Sequence, residues 1–195
     1  KRALQPVPHM RFISSLSDIL PSYKAIFCDV WGVVHNGEWS FPEAAVALEK
    51  AKGEGVAVVL VTNAARRSDK IIEQLGSLGV SSAAFDRVVT SGDATRGLIA
   101  EGPRRIFHIG NDIHQTIYEE LDVDLCEERE ADMVVCTGPF NDEVETPADY
   151  LEMLRRMRAR DLPMICANPD IMVERGTRHI YCAGAIAREY QQMGG

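Results

Sequence analysis

The stretch AIFCDVWGVVHNG, residues 25–37, decides the fold of this chain. Its first four residues form an uninterrupted apolar run, which predicts a strand buried on both faces of a parallel sheet. Asp29 follows at the carboxyl end of that strand, where open α/β sheets bind ligands, and Gly32 and Gly37 allow the backbone to turn there. We interpret Asp29 as a carboxylate nucleophile. The alternative is that it caps the loop by accepting hydrogen bonds from nearby amides.

A second predicted strand, residues 56–61, ends in the polar pair Thr62 and Asn63 about one crossover later. Parallel strands joined by right-handed crossovers present their carboxyl ends at the same edge of a sheet. Asp29 and Thr62 are therefore expected to face one cleft. A carboxylate can attack a phosphoryl group while a hydroxyl and nearby amides hold its oxygens, so the pattern favours phosphoryl transfer.

Composition narrows the class of protein further. The 195 residues are 46% hydrophobic and 26% charged, which is typical of a soluble globular protein. The net charge of -8 argues against a nucleic-acid partner, and no segment is apolar for long enough to span a membrane. The five cysteines are widely separated, with no pair at metal-ligand spacing, which favours a reduced, cytoplasmic protein.

Strands and helices alternate along the rest of the chain, which predicts a mostly parallel α/β architecture. Residues 1–11 show no periodicity, and little order is expected there. Helices are predicted at 42–53, 68–79, 113–121, 146–159 and 180–193, and further strands at 87–90, 106–109, 133–137 and 164–167. The elements beyond about residue 92 are expected to have a core of their own.

These landmarks resemble the haloacid dehalogenase-like superfamily. The segments 29–33 with Gly37, and 61–63, are similar to its motifs I and II. Three later segments, TSGDAT at 90–95, NPD at 168–170 and AGA at 183–185, narrow the resemblance to the class IIA, NagD-type phosphatases by their order and spacing. The resemblance covers nearly the whole chain from about Phe12.

The resemblance implies a fold and a domain organisation. It implies a Rossmann-like parallel-sheet core, begun by residues 1–91, with an inserted α/β cap of the C2 type at 92–178. Residues 179–195 are expected to return to the core as a helix. The implied activity is a Mg²⁺-dependent hydrolysis of a small phosphorylated metabolite, with sugar phosphates as the expected class.

The resemblance also implies roles for particular residues. Asp29 would form an aspartyl-phosphate and bind Mg²⁺ together with the backbone carbonyl of Trp31. The hydroxyl of Thr62 and the backbone amide of Asn63 would hold the transferring oxygens. From the cap, Asn168 and Asp170 would contact substrate; the alternative for this pair is a structural Asx turn beside the intervening proline.

Two departures from the family pattern affect activity. Trp31 stands where the family places a second acid that protonates the leaving group, and an indole cannot replace it. The family's later lysine and its further Mg²⁺-binding acid have no counterpart here, so we expect this to be an N-terminal portion of a longer protein that binds Mg²⁺ poorly and turns over slowly. His35 is expected on a surface loop, and His108, His114 and His179 are expected to be scattered, structural or exposed.

Three rival interpretations stay open at this stage. A noncatalytic binding module on the same scaffold is favoured by Trp31 and by the missing motifs. A dinucleotide-binding domain needs a glycine-rich turn after the first strand and an acid ending the second, and this chain has neither. A receiver-type phosphoacceptor also places an aspartate at a strand end, but the inserted elements argue against it. The sequence does not identify the substrate. It is compatible with a homodimer as well as with a monomer.

Overall fold

The computed structural model describes residues 12–195, so the prediction for residues 1–11 lies outside the described residues. A first unit is built on a parallel sheet of three strands in the order β1 (Ala25–Asp29), β2 (Ala57–Thr62) and β3 (Arg87–Thr90). Asp29 pairs in register with Val61, one residue before Thr62. The two predicted site residues therefore lie at the same edge of the sheet.

Two helices cover one face of this sheet. Helix α1 (Pro42–Gly53) starts with proline at its first turn, which suits a position whose N–H needs no partner, and helix α2 (Ser68–Ser77) follows β2. Leu48 and Leu75 of these helices pack against Leu60 of β2 in one buried cluster. This packing covers one face of the sheet and leaves its carboxyl edge to the loops that follow β1 and β2.

The prediction that β1 is buried on both faces is wrong. Phe27 is 75% exposed, and on the same face of the sheet Val61 and Val89 are 39% and 50% exposed. The described residues cover the opposite face, which carries Leu60. An apolar run shows that a strand has apolar side chains on both faces, but it does not show that both faces are covered within residues 12–195.

Helix α3 (Ser91–Glu101) leads from β3 into a second unit. Its start is fixed by the hydroxyl of Thr90, which accepts a hydrogen bond from the backbone N–H of Asp93 at 2.9 Å. Ile99 near its other end packs with Ile106 and Ile117 of the second unit. The helix was not among the sequence predictions, although its capping residue belongs to the TSGDAT segment.

The second unit contains a parallel sheet of four strands in the order β5-β4-β6-β7. The bounds are β4 (Arg105–Ile109), β5 (Asp124–Leu125), β6 (Met133–Cys136) and β7 (Met164–Cys166). All four residues of β6 are buried, as expected for an apolar central strand. The parallel α/β fold predicted from the sequence is therefore confirmed.

Several elements of the second unit differ from the sequence predictions. The helix predicted at 113–121 is a 3-10 helix, Asp112–Tyr118. The helix predicted at 146–159 is a 3-10 turn followed by α4 (Leu151–Ala159). An antiparallel hairpin, β8 (Met172–Arg175) and β9 (Arg178–Tyr181), was not predicted at all. Its strands are short and rich in charged residues, so they lack the apolar alternation that identifies a strand.

Helix α5 (Ala183–Gln192) packs differently from the prediction for residues 179–195. Instead of returning to the first unit, Ile186 and Tyr190 pack against Leu154 in the core of the second unit. The hydroxyl of Tyr190 also donates a hydrogen bond to the carbonyl of Leu162 at 2.6 Å. The boundaries at 91/92 and 178/179 stay predictions. None of the helices formed by residues 12–195 is long and apolar enough to cross a bilayer.

Candidate active site

Asp29 stands at the end of β1 with its side chain exposed. Its Oδ1 accepts a hydrogen bond from the backbone N–H of Val30 at 2.8 Å. Its Oδ2 accepts no hydrogen bond from any residue in the described range 12–195. The capping role is thus filled by one oxygen, and the other remains available to a ligand.

Thr62 and Asn63 lie beside this carboxylate at the end of β2. Thr62 is 7% exposed, and its hydroxyl oxygen accepts a hydrogen bond from the backbone N–H of Ala64 at 3.2 Å. Asn63 is exposed and donates from Nδ2 to Oδ1 of Asp170 at 3.0 Å. Side chains alternate along a strand, so Thr62 leaves the sheet on the face opposite to Asp29. Both residues nevertheless line one cleft at the sheet edge.

Asn168 and Asp170 reach the same cleft from the second unit. The Asx turn considered from the sequence is formed, because Oδ1 of Asn168 accepts a hydrogen bond from the backbone N–H of Asp170 at 3.0 Å. That turn holds Asp170 where its carboxylate meets Asn63. Contact of either residue with substrate stays a prediction.

The cleft between the two units has a volume of about 680 Å³. The structure brings every sequence-predicted site residue to its lining: Asp29, Trp31, Thr62, Asn63, Asn168 and Asp170. The volume is within the range of small-molecule sites, roughly 300–1,000 Å³. The cleft can hold a phosphate group together with the body of a metabolite.

Trp31 joins the two units instead of acting as an acid. Its Nε1–H donates a hydrogen bond to the carbonyl of Glu174 in β8 at 2.7 Å. Its ring also packs against Gly37, where an added Cβ would lie 2.8 Å from the indole Cη2. Within residues 12–195 the carbonyl of Trp31 accepts no hydrogen bond. The indole N–H is therefore committed to the hairpin, and the carbonyl is free for a ligand.

His35 is buried, which corrects the expectation of a surface loop. It is only 2% exposed, and its Nδ1 accepts a hydrogen bond from the backbone N–H of Gly37 at 2.9 Å. Its ring lies edge-on to Trp31 with centroids 5.2 Å apart. Burial lowers the pKa of His35, so the neutral ring is favoured. The loop after Asp29 folds back on itself and encloses this histidine.

His108 and His114 are not scattered, as the sequence suggested, but share one hydroxyl. Nε2 of His108 lies 2.9 Å from Oγ1 of Thr137, and Nδ1 of His114 lies 3.0 Å from the same atom. Burial lowers the pKa of each histidine to about 4. His114 and Thr137 line the cleft, whereas His179 is exposed as expected.

Two arginines that the sequence interpretation missed also line the cleft. Arg175 forms ion pairs with Asp142 at 2.7 Å and Glu143 at 3.3 Å. Arg66 donates from Nη1 to Oε1 of Gln74 at 2.9 Å, and its Nε is buried with no partner among the described residues. Arg66 follows Asn63 in the same loop, and that proximity in sequence was the available signal.

The donors at the sheet edge fit a hard divalent cation. The free Oδ2 of Asp29 and the free carbonyl of Trp31 are oxygen ligands, which Mg²⁺ prefers. Among residues 12–195 no three His, Cys, Asp or Glu side chains cluster closely enough to hold a metal ion by themselves. Magnesium commonly binds through one or two carboxylates and completes its shell with water and substrate phosphate, so these two ligands are compatible with it.

Comparison with known proteins agrees with this description. Residues 26–124 match the family model described as haloacid dehalogenase-like hydrolase. A solved haloacid dehalogenase-like hydrolase from Brucella suis 1330 is 61% identical, with a TM-score of 0.93 over 94% of this chain and 68% of that chain. No curated protein sequence matches the chain significantly.

More distant solved structures share the fold. A possible sugar phosphatase from Cytophaga hutchinsonii is 22% identical, with a TM-score of 0.76 over 94% of this chain and 68% of that chain. NagD from E. coli K-12 is 21% identical, with a TM-score of 0.59 over 89% of this chain and 66% of that chain.

The parallel sheet, with an exposed carboxylate at its carboxyl edge beside a cleft, defines an α/β protein, and the family match places it among the hydrolases. More particularly, this chain belongs to the haloacid dehalogenase-like hydrolases, and its structural neighbours are of the NagD type. The family resemblance read from the motifs is therefore confirmed.

Proposed function

We propose that this chain provides the nucleophile and the phosphate-binding end of a phosphatase that acts on small phosphorylated metabolites, with sugar phosphates as the expected class. The observation that carries the proposal is the free Oδ2 of Asp29 in the same cleft as Thr62 and Asn63. A solved neighbour named a possible sugar phosphatase shares the fold, which supports the reaction class.

In this proposal Asp29 attacks the phosphorus of a phosphomonoester. A bond forms between the carboxylate oxygen and phosphorus while the ester P–O bond breaks, and the leaving alkoxide takes a proton from water. Water then attacks the phosphorus of the aspartyl-phosphate, which releases inorganic phosphate and a proton and restores the carboxylate. The hydroxyl of Thr62 and the amide of Asn63 hold the equatorial oxygens during both transfers.

Asp29 and the carbonyl of Trp31 are the residues that would hold Mg²⁺. When bound, the cation offsets the repulsion between the anionic nucleophile and the anionic phosphate. Both ligand atoms belong to the loop that starts at the end of β1, and the hydrogen bond from Trp31 to Glu174 restrains that loop. The indole thus positions the carbonyl although it supplies no proton.

The position of Trp31 predicts a preference among leaving groups. A positioned general acid contributes roughly 10² to 10⁴ in rate, and Trp31 offers none. Aryl and acyl phosphates have leaving groups that need no proton at neutral pH. We therefore expect p-nitrophenyl phosphate to be hydrolysed faster than an alkyl phosphate.

The test compares p-nitrophenyl phosphate hydrolysis by the wild-type protein and by Asp29→Asn, with Mg²⁺ present. Loss of turnover in Asp29→Asn, with full activity in Asp124→Asn, supports the proposal. Asp124 is a matched control because it is an exposed aspartate of β5 outside the cleft. If the full-length protein with Mg²⁺ hydrolyses nothing across a phosphomonoester panel, catalysis is rejected in favour of the noncatalytic binding module.

A cytoplasmic location is the accompanying proposal. It rests on the five cysteines, all of which are free thiols. Burial raises the pKa of Cys136 and Cys182, so these thiols are poor nucleophiles. Small phosphorylated compounds are the proposed partners, and neither nucleic acid nor a membrane is proposed as one. Light scattering would measure whether the protein is a homodimer.

A further inference from the structure

Arg66 is a cation of the cleft wall that forms no ion pair within residues 12–195. The residue is half-buried, and its Nη1 donates to the neutral side chain of Gln74 at 2.9 Å. Within residues 12–195 no carboxylate lies within ion-pair distance of the guanidinium. Burial lowers the pKa of Arg66, and the charges of Glu73 and Asp69 offset this only in part, because neither carboxylate forms an ion pair with the guanidinium.

The second arginine of the cleft and the carboxylate of Asp170 have partners, whereas Asp29 keeps its Oδ2 free. Arg175 is paired with Asp142 and Glu143, and Asp170 accepts a hydrogen bond from Asn63. His114 is held largely neutral at pH 7, because burial lowers its pKa to about 4. Among the described cleft residues, Arg66 is therefore the cation that an anionic ligand would meet without first breaking an ion pair.

Arg66 has one nitrogen, Nη2, that such a ligand can reach. Its Nε is buried and has no partner in the described part of the chain. Its Nη2 also has no hydrogen-bond partner within residues 12–195. Unlike Nε, Nη2 is not buried, so it is accessible to solvent. A planar guanidinium with unoccupied donors matches the geometry of a carboxylate or phosphate group.

Arg66 faces the second unit across the cleft. Its positive charge acts on His114, where it contributes to the lowered pKa of that histidine. The cleft volume of about 680 Å³ leaves room for more than the phosphate held at Thr62 and Asn63. The guanidinium thus lines the same cleft as Thr62 and Asn63, with room for a ligand larger than phosphate.

We propose that Arg66 binds a second acidic group of the substrate, so that the ligand is a phosphomonoester carrying a further carboxylate or phosphate. The assignment rests on the proposed function for the placing of the first phosphate. It specifies the substrate class more narrowly than a sugar phosphate, because a sugar whose one phosphate is bound at Thr62 and Asn63 would leave Arg66 without an ion-pair partner.

Equilibrium binding by calorimetry tests this without requiring turnover. One matched pair is 3-phosphoglycerate and glycerol 3-phosphate, which differ by a carboxylate. A second pair is fructose 1,6-bisphosphate and fructose 6-phosphate, which differ by a phosphate. We expect the more acidic member of at least one pair to bind about 10- to 100-fold more tightly, as for a charge-assisted hydrogen bond, and Arg66→Gln to remove that preference. The pair that shows the preference identifies the acidic group.

Arg67→Gln is the matched control. The adjacent Arg67 is already paired with Asp69 and Glu119 and does not line the cleft, so its loss should leave the preference unchanged. Circular dichroism establishes that each variant is folded. If Arg66→Gln is not folded, Arg66→Lys replaces it, because lysine keeps the charge but loses the planar fork and should weaken the preference.

Three results would overturn the proposal: no preference in either pair, no measurable binding of either more acidic member, or equal losses for both members in Arg66→Gln. The last result would place Arg66 at the transferred phosphate or in a purely structural role. Failure of the proposed function is a separate result, because it shows as absent p-nitrophenyl phosphate turnover while binding can still discriminate within a pair.

Discussion

The side chain of Asn63 in the first unit donates a hydrogen bond to Asp170 in the second unit at 3.0 Å. Asn63 follows directly after Thr62 at the end of β2, and Asp170 is held in place by the Asx turn of Asn168. A proposed phosphate-binding residue is thus tied to the opposite wall of the cleft. Relative movement of the two units would break this bond and release the side chain of Asn63.

Replacing Asp170 should weaken substrate binding more than it affects folding. Asp170→Ala removes the acceptor, and a hydrogen bond of this kind contributes about 0.5–1.5 kcal/mol, so we expect KM to rise roughly 2- to 10-fold with little change in Tm. Asp170→Asn is the control, since its Oδ1 can still accept from Asn63. Steady-state kinetics with p-nitrophenyl phosphate measure both, and equal KM values in the two variants would contradict a role for this bond.

Restoring an acid at position 31 should change the preference among leaving groups. In Trp31→Asp a carboxyl group can protonate the leaving oxygen, so alkyl-phosphate turnover relative to p-nitrophenyl phosphate should rise by up to about 10²-fold. Trp31→Phe is the control, because it loses the hydrogen bond to Glu174 without gaining an acid. The ratio of kcat values for the two substrates is the measurement. An unchanged ratio in Trp31→Asp would show that the acid cannot act from this position.

Gly37 should tolerate a side chain less well than Gly32. Both have positive φ angles, +93° and +77°, so alanine is strained at either position. An added Cβ at Gly37 would also lie 2.8 Å from the Trp31 ring, whereas nothing lies within 4 Å of one at Gly32. We expect Gly32→Ala to cost about 1 kcal/mol and Gly37→Ala about 2–3 kcal/mol. Urea unfolding measures the difference, and equal costs would mean that the indole moves aside freely.

Stability should fall in mild acid because of His108. The side chain is 8% exposed, and burial lowers its pKa to about 4 from a usual value near 6.5. The unfolded chain therefore binds the proton more tightly, so the free energy of unfolding decreases as the pH falls from about 6.5 towards 4. The loss from this residue is at most about 3 kcal/mol.

His108→Gln should make that decrease shallower, since glutamine does not titrate and can still approach the hydroxyl of Thr137. His179→Gln is the control, because His179 is exposed on β9 and its loss should leave the dependence on pH unchanged. Urea unfolding at pH 7, 6, 5 and 4.5 gives the slopes. Parallel curves for the wild-type protein and His108→Gln would contradict the assignment.

The sequence was sufficient to predict the sheet edge that carries the candidate site. Asp29, Thr62 and Asn63 could be placed together because parallel strands with short crossovers present their carboxyl ends on one side. This reasoning needs only local patterns and a topological rule. The family motifs added the same three residues independently, which is why the fold and the family were both predicted correctly.

What the sequence could not predict depends on tertiary packing. Helix α5 has an apolar stripe, but the stripe does not specify which sheet it packs against, and Ile186 lies in the second core. The burial of His35 depends on a loop that folds over it. Arg66 can be recognised as a cation without an ion-pair partner only when the contacts of the charged cleft residues are known. Packing partners, burial and ion pairs depend on distances between atoms in the folded structure, which the spacing of residues along the sequence does not give.

The open face of the first sheet has a consequence for the chemistry. Asp29 lies on the same side of the sheet as Phe27, Val61 and Val89. Any polypeptide that shields these apolar side chains from water must therefore run alongside Asp29. A polypeptide segment that covers Phe27 would also be close enough to place a lysine or an acid beside Asp29. Solubility and reactivity would then both depend on this one surface.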